Sequence, residues 1–198
     1  MKLPKPTEGS FEPAPAGNHL AVCYRLVDLG TQESPMYGAK HQIVIGWELT
    51  DCLMDDGRPF TAQKWFTFSM HEKSNLRKDL ESWRGRSFTP EEFETFDLKN
   101  ILGTSCLLTI LHKDDNARVA TVGALPKSMK KGKQINETEF FSFQEPDEAA
   151  WAELPDWLKD KIALSPEYKA LTEEPPLKDE EPKTLPLPID DDMEQIPF

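Results

Sequence analysis

The chain has 198 residues, of which 38% are hydrophobic and 29% are charged, enough for one hydrophobic core but not for two. No stretch approaches the roughly 20 apolar residues that a membrane-spanning helix needs, and the first ten residues lack the apolar core of a secretory signal. We therefore expect no membrane association and a cytoplasmic location.

Charge is distributed unevenly along the chain. Residues 1–134 hold 18 basic and 17 acidic side chains, net +1, whereas residues 135–198 hold 5 and 18, net −13. The overall charge of −12 is therefore compatible with a local basic groove in the first part of the chain. The three cysteines, Cys23, Cys52 and Cys106, form no CxxC pair, which predicts reduced thiols and no zinc site.

The sequence of the first part of the chain indicates an extended leader followed by three strands. Residues 1–17 contain four prolines and two glycines without apolar periodicity, and we interpret them as an extended leader. Three segments then alternate apolar and polar residues as half-buried strands do: HLAVCYRLVDLG, KHQIVIGWELT and FTAQKWFTFSM. A loop separates the first two, and an Asp-Gly turn at residues 56–57 separates the last two, which favours antiparallel pairing.

The period then changes to that of a helix. Ser74 can cap a helix that places Leu76, Leu80 and Trp83 on one face, and Gly85 can end it. A second, shorter helix is predicted after it, with Thr89 as the cap and Pro90 at the first helical position.

Two more strands, TSCLLTILH and ARVATVGAL, follow these helices. Three strands, a helix and two strands is the order of the OB-fold, a five-stranded barrel with a helix between strands three and four that commonly binds oligonucleotides. Other small β-architectures stay open as alternatives, although an SH3-like barrel usually lacks a helix at that place and a sandwich would need more strands at even spacing. We therefore predict a mainly β protein with an OB-fold domain over residues 18–145.

Beyond the fifth strand, NETEFFSF predicts an added edge strand. Residues 146–172 predict an acidic extension of short helices, broken at Pro155 and Pro166. Residues 173–198 are dominated by Pro, Glu, Asp and Lys, a composition that predicts a disordered acidic tail.

Single-stranded nucleic acid is bound by aromatic side chains that stack on bases and by cations that follow the phosphates. In the third strand, one face suits the core, with Phe66, Phe68 and Met70. Trp65 then faces outward as the best stacking candidate, with Arg25 and Gly46 predicted on the outer face of strands one and two. The alternative is that Trp65 covers a seam of the barrel or contacts a second subunit. A homo-oligomer is therefore a further alternative.

Loops and strand ends supply further candidate nucleic-acid contacts. They are Tyr37, Lys40, His41, Arg58, Phe60, Lys64, Lys127, Lys130, Lys131 and Lys133. The last four form the densest basic segment of the chain, whereas the basic residues of the predicted helix alternate with acids as on an ordinary solvated face.

Signals for catalysis are weak. The motifs GxGxxG, GKS/GKT, HExxH and GxSxG are absent from the sequence. The pairs Asp55–Asp56 and Asp114–Asp115 could bind magnesium, but both lie at predicted turns, where Asp is expected for backbone reasons. We predict a binding protein without cofactor, metal or enzymatic activity; a metal-dependent nuclease or recombinase subunit is an alternative.

The chain ends in DDDMEQIPF, an acidic run followed by Ile-Pro-Phe. This ending resembles the C-terminal tip of the bacterial single-stranded DNA-binding (SSB) protein family, and the plan of the chain is similar to the divergent members encoded by bacteriophages. The resemblance implies sequence-nonspecific binding of single-stranded DNA in replication, recombination and repair, with partner proteins recruited by the tip. The implied docking residues are Asp190, Asp191, Asp192, Glu194, Ile196, Pro197 and Phe198. A different class of function also fits the acidic region: an adaptor or DNA-mimic inhibitor that binds a host protein and not DNA.

Overall fold

The computed structural model describes residues 13–34, 38–114 and 116–172. Within these ranges the strands are Gly17–Ser34 (β1), Gly38–Leu53 (β2), Pro59–Thr67 (β3), Ser105–Lys113 (β4), Asn116–Gly123 (β5) and Glu139–Phe141 (β6). The helices are Asn75–Arg84 (α1), Pro90–Thr95 (α2), Glu148–Glu153 (α3), Asp156–Ala163 (α4) and Pro166–Thr172 (α5), with a 3₁₀ turn at Leu98–Ile101. No helix in the described ranges is long and apolar enough to cross a membrane.

The helix signals read from the sequence are confirmed. The Ser74 hydroxyl accepts a hydrogen bond from the N–H of Arg77, and Gly85 ends α1 with a left-handed φ of +70°. Thr89 and Glu92 form a reciprocal capping box around Pro90 at the start of α2. Both helices therefore begin where local hydrogen bonds satisfy their first N–H groups.

Strand β1 organises the sheet because it is long and bent. It pairs with β2 in antiparallel fashion along most of its length, with β4 through residues 17–22, and in parallel with β6 through residues 25–27. Its register against β2 shifts between Cys23 and Arg25 and again between Asp28 and Gly30. Such bulges bend a strand and increase its twist, so β1 can contact two different neighbours on one side.

The sheet order is β3-β2-β1-β4-β5, with β6 added to β1. Strands β3 and β5 contact each other, but the structure shows no strand pairing between them within the described ranges. The mainly β architecture is confirmed, whereas a closed five-stranded barrel is not.

The inner core lies between one face of the sheet and α1. Trp47, Leu49 and Leu108 from the sheet and Leu76 and Leu80 from α1 are at most 2% exposed. Cys23 and Cys106 are fully buried in this core, as expected from their place in apolar strands. Phe68 was predicted to belong here, but that prediction is wrong: β3 ends at Thr67, and the ring of Phe68 is 43% exposed.

The outer core lies on the opposite face of the same sheet, which we call the outer face. Val27 and Val44 of β1 and β2 pack there against Leu154, Leu158 and Ile162 of the helical extension. The extension breaks at Pro155 and Pro166, as the sequence predicted. Burying Leu158 and Ile162 completely contributes about 1.5–3 kcal/mol each, so the acidic extension is anchored to the strands by apolar contacts.

Gly30 allows the last helix to approach β1. Its φ is +67°, and a Cβ there would lie 2.6 Å from the Cβ of Ser165. Next to it, the Glu167 carboxylate accepts hydrogen bonds from the N–H (2.8 Å) and hydroxyl (2.6 Å) of Thr31. Burial by itself would raise the pKa of Glu167, but these hydrogen bonds lower it.

Candidate nucleic-acid interface

Trp65 is exposed on the outer face of β3. Alternation along the strand sends Phe66 into the inner core, where it is 3% exposed, and leaves the indole of Trp65 39% exposed. A large aromatic ring in this position offers a face on which a base could stack. The predicted orientation of Trp65 is thus what the structure shows.

A polar hollow of about 410 Å³ lies beside Trp65, between the end of β3 and the start of α1. Thr67, Ser69, His71 and Lys73 contribute to its wall. Its loop is held by local hydrogen bonds, including the Ser74 hydroxyl to the carbonyl of Ser69 at 2.6 Å. The hollow therefore combines an aromatic wall with hydroxyls, an imidazole and one exposed ammonium group.

A second tryptophan meets Trp65 from the helical extension. The ring centroids of Trp65 and Trp157 of α4 lie 6.2 Å apart, with a tilt of 39° between the planes. Trp157 is also 39% exposed. The sequence reasoning missed this residue, although one signal was available: Leu154, Leu158 and Ile162 recur every four residues, and Trp157 falls beside that apolar stripe.

Arg25 lies on the outer face, but its side chain is largely buried. Its guanidinium donates hydrogen bonds to both oxygens of Glu139, at 2.7 and 2.9 Å, and one to Gln63 at 3.2 Å. It also lies 5.6 Å from the ring centroid of Trp157. The Arg25 side chain covers Gly46, where a Cβ would come within 2.9 Å of the Arg25 Cβ, so the missing side chain of this glycine makes room for Arg25.

Two other predicted contacts have roles inside the fold. Phe60 is 6% exposed and belongs to the inner core. Lys64 donates to Asp79 of α1 at 2.6 Å, which ties the helix to β3. Neither side chain projects from the outer face beside Trp65.

The remaining candidates near the first two hairpins are dispersed. His41 lies 2.6 Å from an Asp28 carboxylate oxygen, and its ring is 5.3 Å from that of Phe68. Lys40 is exposed on β2, and Arg58 pairs with Asp56 at the exposed β2–β3 turn. Tyr37 lies outside the described residues.

The predicted basic loop is exposed and anchored. All four of its lysines are exposed: Lys127, Lys130, Lys131 and Lys133. Within it, the N–H of Gly132 donates to the Ser105 hydroxyl at 3.0 Å, and the N–H groups of Ile135 and Asn136 donate to the carboxylate of Glu48. Glu48 is fully buried, so this loop is fixed against the outer face of β2.

The spacing between the basic loop and Trp65 follows from the strand register. Glu48 pairs with Thr61, and Val44 pairs with Trp65, so the loop anchor and the indole are four residues apart along the hairpin. At a rise of about 3.3 Å per residue this is about 13 Å. The Glu48 anchor and Trp65 therefore lie on one face, and Gly132, between the lysines of the loop, lies next to Thr50, two residues farther from Val44 along β2.

A second hollow, on another part of the surface, has a different character. It measures about 510 Å³, and its lining includes the aromatic rings of Phe68, Phe93, Phe96 and Phe140. Its charged lining residues are Asp28, Glu94, Asp97, Glu145 and Lys99. This negative balance disfavours phosphate, so we do not place nucleic acid there.

The turn aspartates do not form a metal site in the part of the chain that the structure describes. No three His, Cys, Asp or Glu side chains there come together in a way that could hold a metal ion. Asp55–Asp56 and Asp114 belong to different hairpin turns, and Asp115 lies outside the described residues.

No protein-family model matches the chain, and no curated protein is significantly similar to it. The docking residues predicted at the tip, 190–198, also lie outside the described residues. The features that bear on function are therefore the outer face and the sequence of the tip.

Proposed function

We propose that this protein binds single-stranded DNA without sequence preference and recruits replication, recombination or repair proteins through its acidic tip. The observation that carries the proposal is the outer face of β3. There an exposed tryptophan lies beside a polar hollow, and the anchor of a lysine-rich loop at Glu48 lies about 13 Å away along the strands. Stacking combined with dispersed cations reads no base edges, so sequence preference is expected to be small.

The sheet order supports an OB-type barrel. In an OB-fold the strands close in the order β1-β2-β3-β5-β4, and the barrel is partly open. The strands of this sheet follow the same order, except that β3 and β5 contact each other without pairing within the described residues. As in an OB-fold, a helix, α1, lies between β3 and β4 in the sequence. OB-folds bind oligonucleotides on the face of strands two and three, where Trp65 lies.

The acidic tip is the part of the chain that would recruit partner proteins. Its acidic residues give long-range steering toward a basic partner, and the ring and carboxylate of Phe198 give a short-range contact. The resemblance to phage-type members of the SSB family favours action in the cytoplasm of a bacterial host.

The test is a fluorescence titration of the protein with oligo-dT at low and high salt. Wild type should bind, and binding should weaken strongly as salt is raised. Trp65→Ala should weaken binding by about 1–3 kcal/mol, the contribution of one stacked base. Leu111→Ala, which alters an exposed side chain of β4, is the matched control and should bind like wild type. Absence of any binding by wild type would favour the adaptor function.

A further inference from the structure

Trp157 has no evident role in the outer core. The extension buries Leu154, Leu158 and Ile162, each at most 3% exposed, whereas the indole of Trp157 stays 39% exposed. Anchoring of the extension is therefore accomplished by these aliphatic residues, with Trp151 and Tyr168 packed against them. The ring of Trp157 instead contacts that of Trp65, the other exposed tryptophan on the outer face, so the two form one exposed aromatic patch.

The position of Trp157 is set by rigid neighbours. Helix α4 is fixed to β1 and β2 by the outer core, and the Arg25 guanidinium, itself bound to Glu139, lies 5.6 Å from the Trp157 ring. The ring of Trp65 is 6.2 Å away at a tilt of 39°. Two exposed rings held in this way form a stacking platform that loses little conformational entropy when a ligand binds.

The charge of the extension indicates what kind of contact Trp157 would make. Residues 146–172 contain six acidic and three basic side chains. This negative balance does not attract phosphates, so the extension cannot act as the electrostatic part of an interface. A contact through Trp157 would be stacking on bases, while the lysine-rich loop and Lys73 remain available for phosphates.

We propose that Trp157 forms the second half of the stacking site with Trp65, so that the acidic helical extension is a built-in part of the single-stranded DNA interface. The inference depends on the proposed function and adds to it a residue from a segment that the sequence assigned no role in binding. Two neighbouring bases would stack on the two rings. Removal of Trp157 should then reduce affinity equally at low and high salt, because no phosphate contact is lost.

The experiment compares wild type, Trp157→Ala, Trp157→Phe and Leu164→Ala in oligo-dT titrations at several salt concentrations. Trp157→Ala should bind roughly 5- to 150-fold more weakly, with the same salt slope as wild type. Trp157→Phe should recover most of the affinity because it restores a ring. Leu164→Ala alters a 62% exposed apolar residue at the end of α4 and should have no effect.

Photo-crosslinking of the wild-type protein to oligonucleotides carrying 5-iododeoxyuridine gives a second readout that no folding defect can affect. Crosslinks at both Trp65 and Trp157 are expected. Crosslinks at Trp65 alone, with unchanged affinity in Trp157→Ala and weaker binding in Trp65→Ala, would overturn the inference and leave the proposed function intact. Tighter binding by Trp157→Ala would also overturn it, since Trp157 would then shield Trp65. Failure of wild type to bind would overturn both.

Discussion

Arg25 of β1 and Glu139 of β6 form a bidentate ion pair across 114 positions of sequence, with hydrogen bonds of 2.7 and 2.9 Å. The pair joins the sheet to the first residue of the short strand that leads into the helical extension. Only 11% of the Arg25 side chain and 22% of the Glu139 side chain are exposed. Screening by water is weak at such a site, and an unpaired charge there would be unfavourable.

We expect Arg25→Ala to lower the free energy of unfolding by about 3 kcal/mol, because it leaves the Glu139 carboxylate without its partner. Urea unfolding followed by circular dichroism measures this change. Arg58→Ala breaks an ion pair at an exposed turn and serves as the matched control, with no measurable change expected. Equal effects of the two substitutions would contradict the role assigned to the Arg25–Glu139 pair.

Glu92 makes stability depend on pH at the acid end. Hydrogen bonds from Arg86 and Arg84, and from the backbone at Thr89, lower the pKa of Glu92 to about 2. A carboxylate with a lowered pKa stabilises the fold fully above its unfolded value of about 4.5 and loses that contribution as pH falls toward its folded value. Glu92→Gln should therefore melt at a lower temperature than wild type near neutral pH.

The Tm difference between wild type and Glu92→Gln should shrink as pH falls from about 4.5 toward 2. Thermal melts over that pH range measure the difference. A Tm difference that stays constant across the range would show that the ionised form of Glu92 is not what stabilises the contact between α1 and α2.

The three cysteines should differ in reactivity. Burial raises the pKa of the Cys23 thiol well above its ordinary value, with a further contribution from Cys106, and burial raises the pKa of Cys106 to about 12. Cys52 is only partly buried. Alkylation of the folded protein at mildly alkaline pH should modify Cys52 first, as measured by mass spectrometry, and modification of Cys23 or Cys106 should require unfolding. Early labelling of Cys106 would contradict its burial in the inner core.

The lysine-rich loop should carry much of the salt dependence of DNA binding. Replacing Lys130, Lys131 and Lys133 together by Ala removes up to three phosphate contacts, which should reduce the slope of log K against log salt by up to about 2. Titrations with oligo-dT at a series of salt concentrations measure the slope. Since the three side chains are exposed, the variant should melt like wild type. An unchanged slope would show that these three lysines do not contact the phosphates of the bound DNA.

The tip should act as a docking site for partner proteins, independently of DNA binding. Phe198→Ala removes the terminal ring, so capture of replication or repair proteins from bacterial lysate should fall more than with Asp190→Ala, which only weakens steering. Both variants should bind oligo-dT like wild type. Recovery of the same partners by wild type and Phe198→Ala would contradict the role of the tip as a docking site and leave it as a solubilising segment.

Much of the fold was predictable because it follows local rules. Alternation placed Trp65 outward and Phe66 inward, and the caps at Ser74, Gly85 and Thr89 marked the helix ends. Phe68 was assigned wrongly because alternation was extended past the end of β3, where the chain leaves the sheet and the period of two no longer holds. Phe60 was predicted as a DNA contact from its place near a hairpin, but it lies in the inner core.

The sequence by itself determined the strand and helix order, the breaks at Pro155 and Pro166, and the separation of a nearly neutral first part from an acidic second part. These features depend on neighbours a few residues apart, through backbone hydrogen bonds, caps and side-chain period. Tertiary structure alone decided that the extension folds back over the outer face, where Glu139 meets Arg25 and Trp157 meets Trp65. Such partners are chosen by the burial of distant apolar surfaces against each other, and no local pattern records which distant surface a helix will cover.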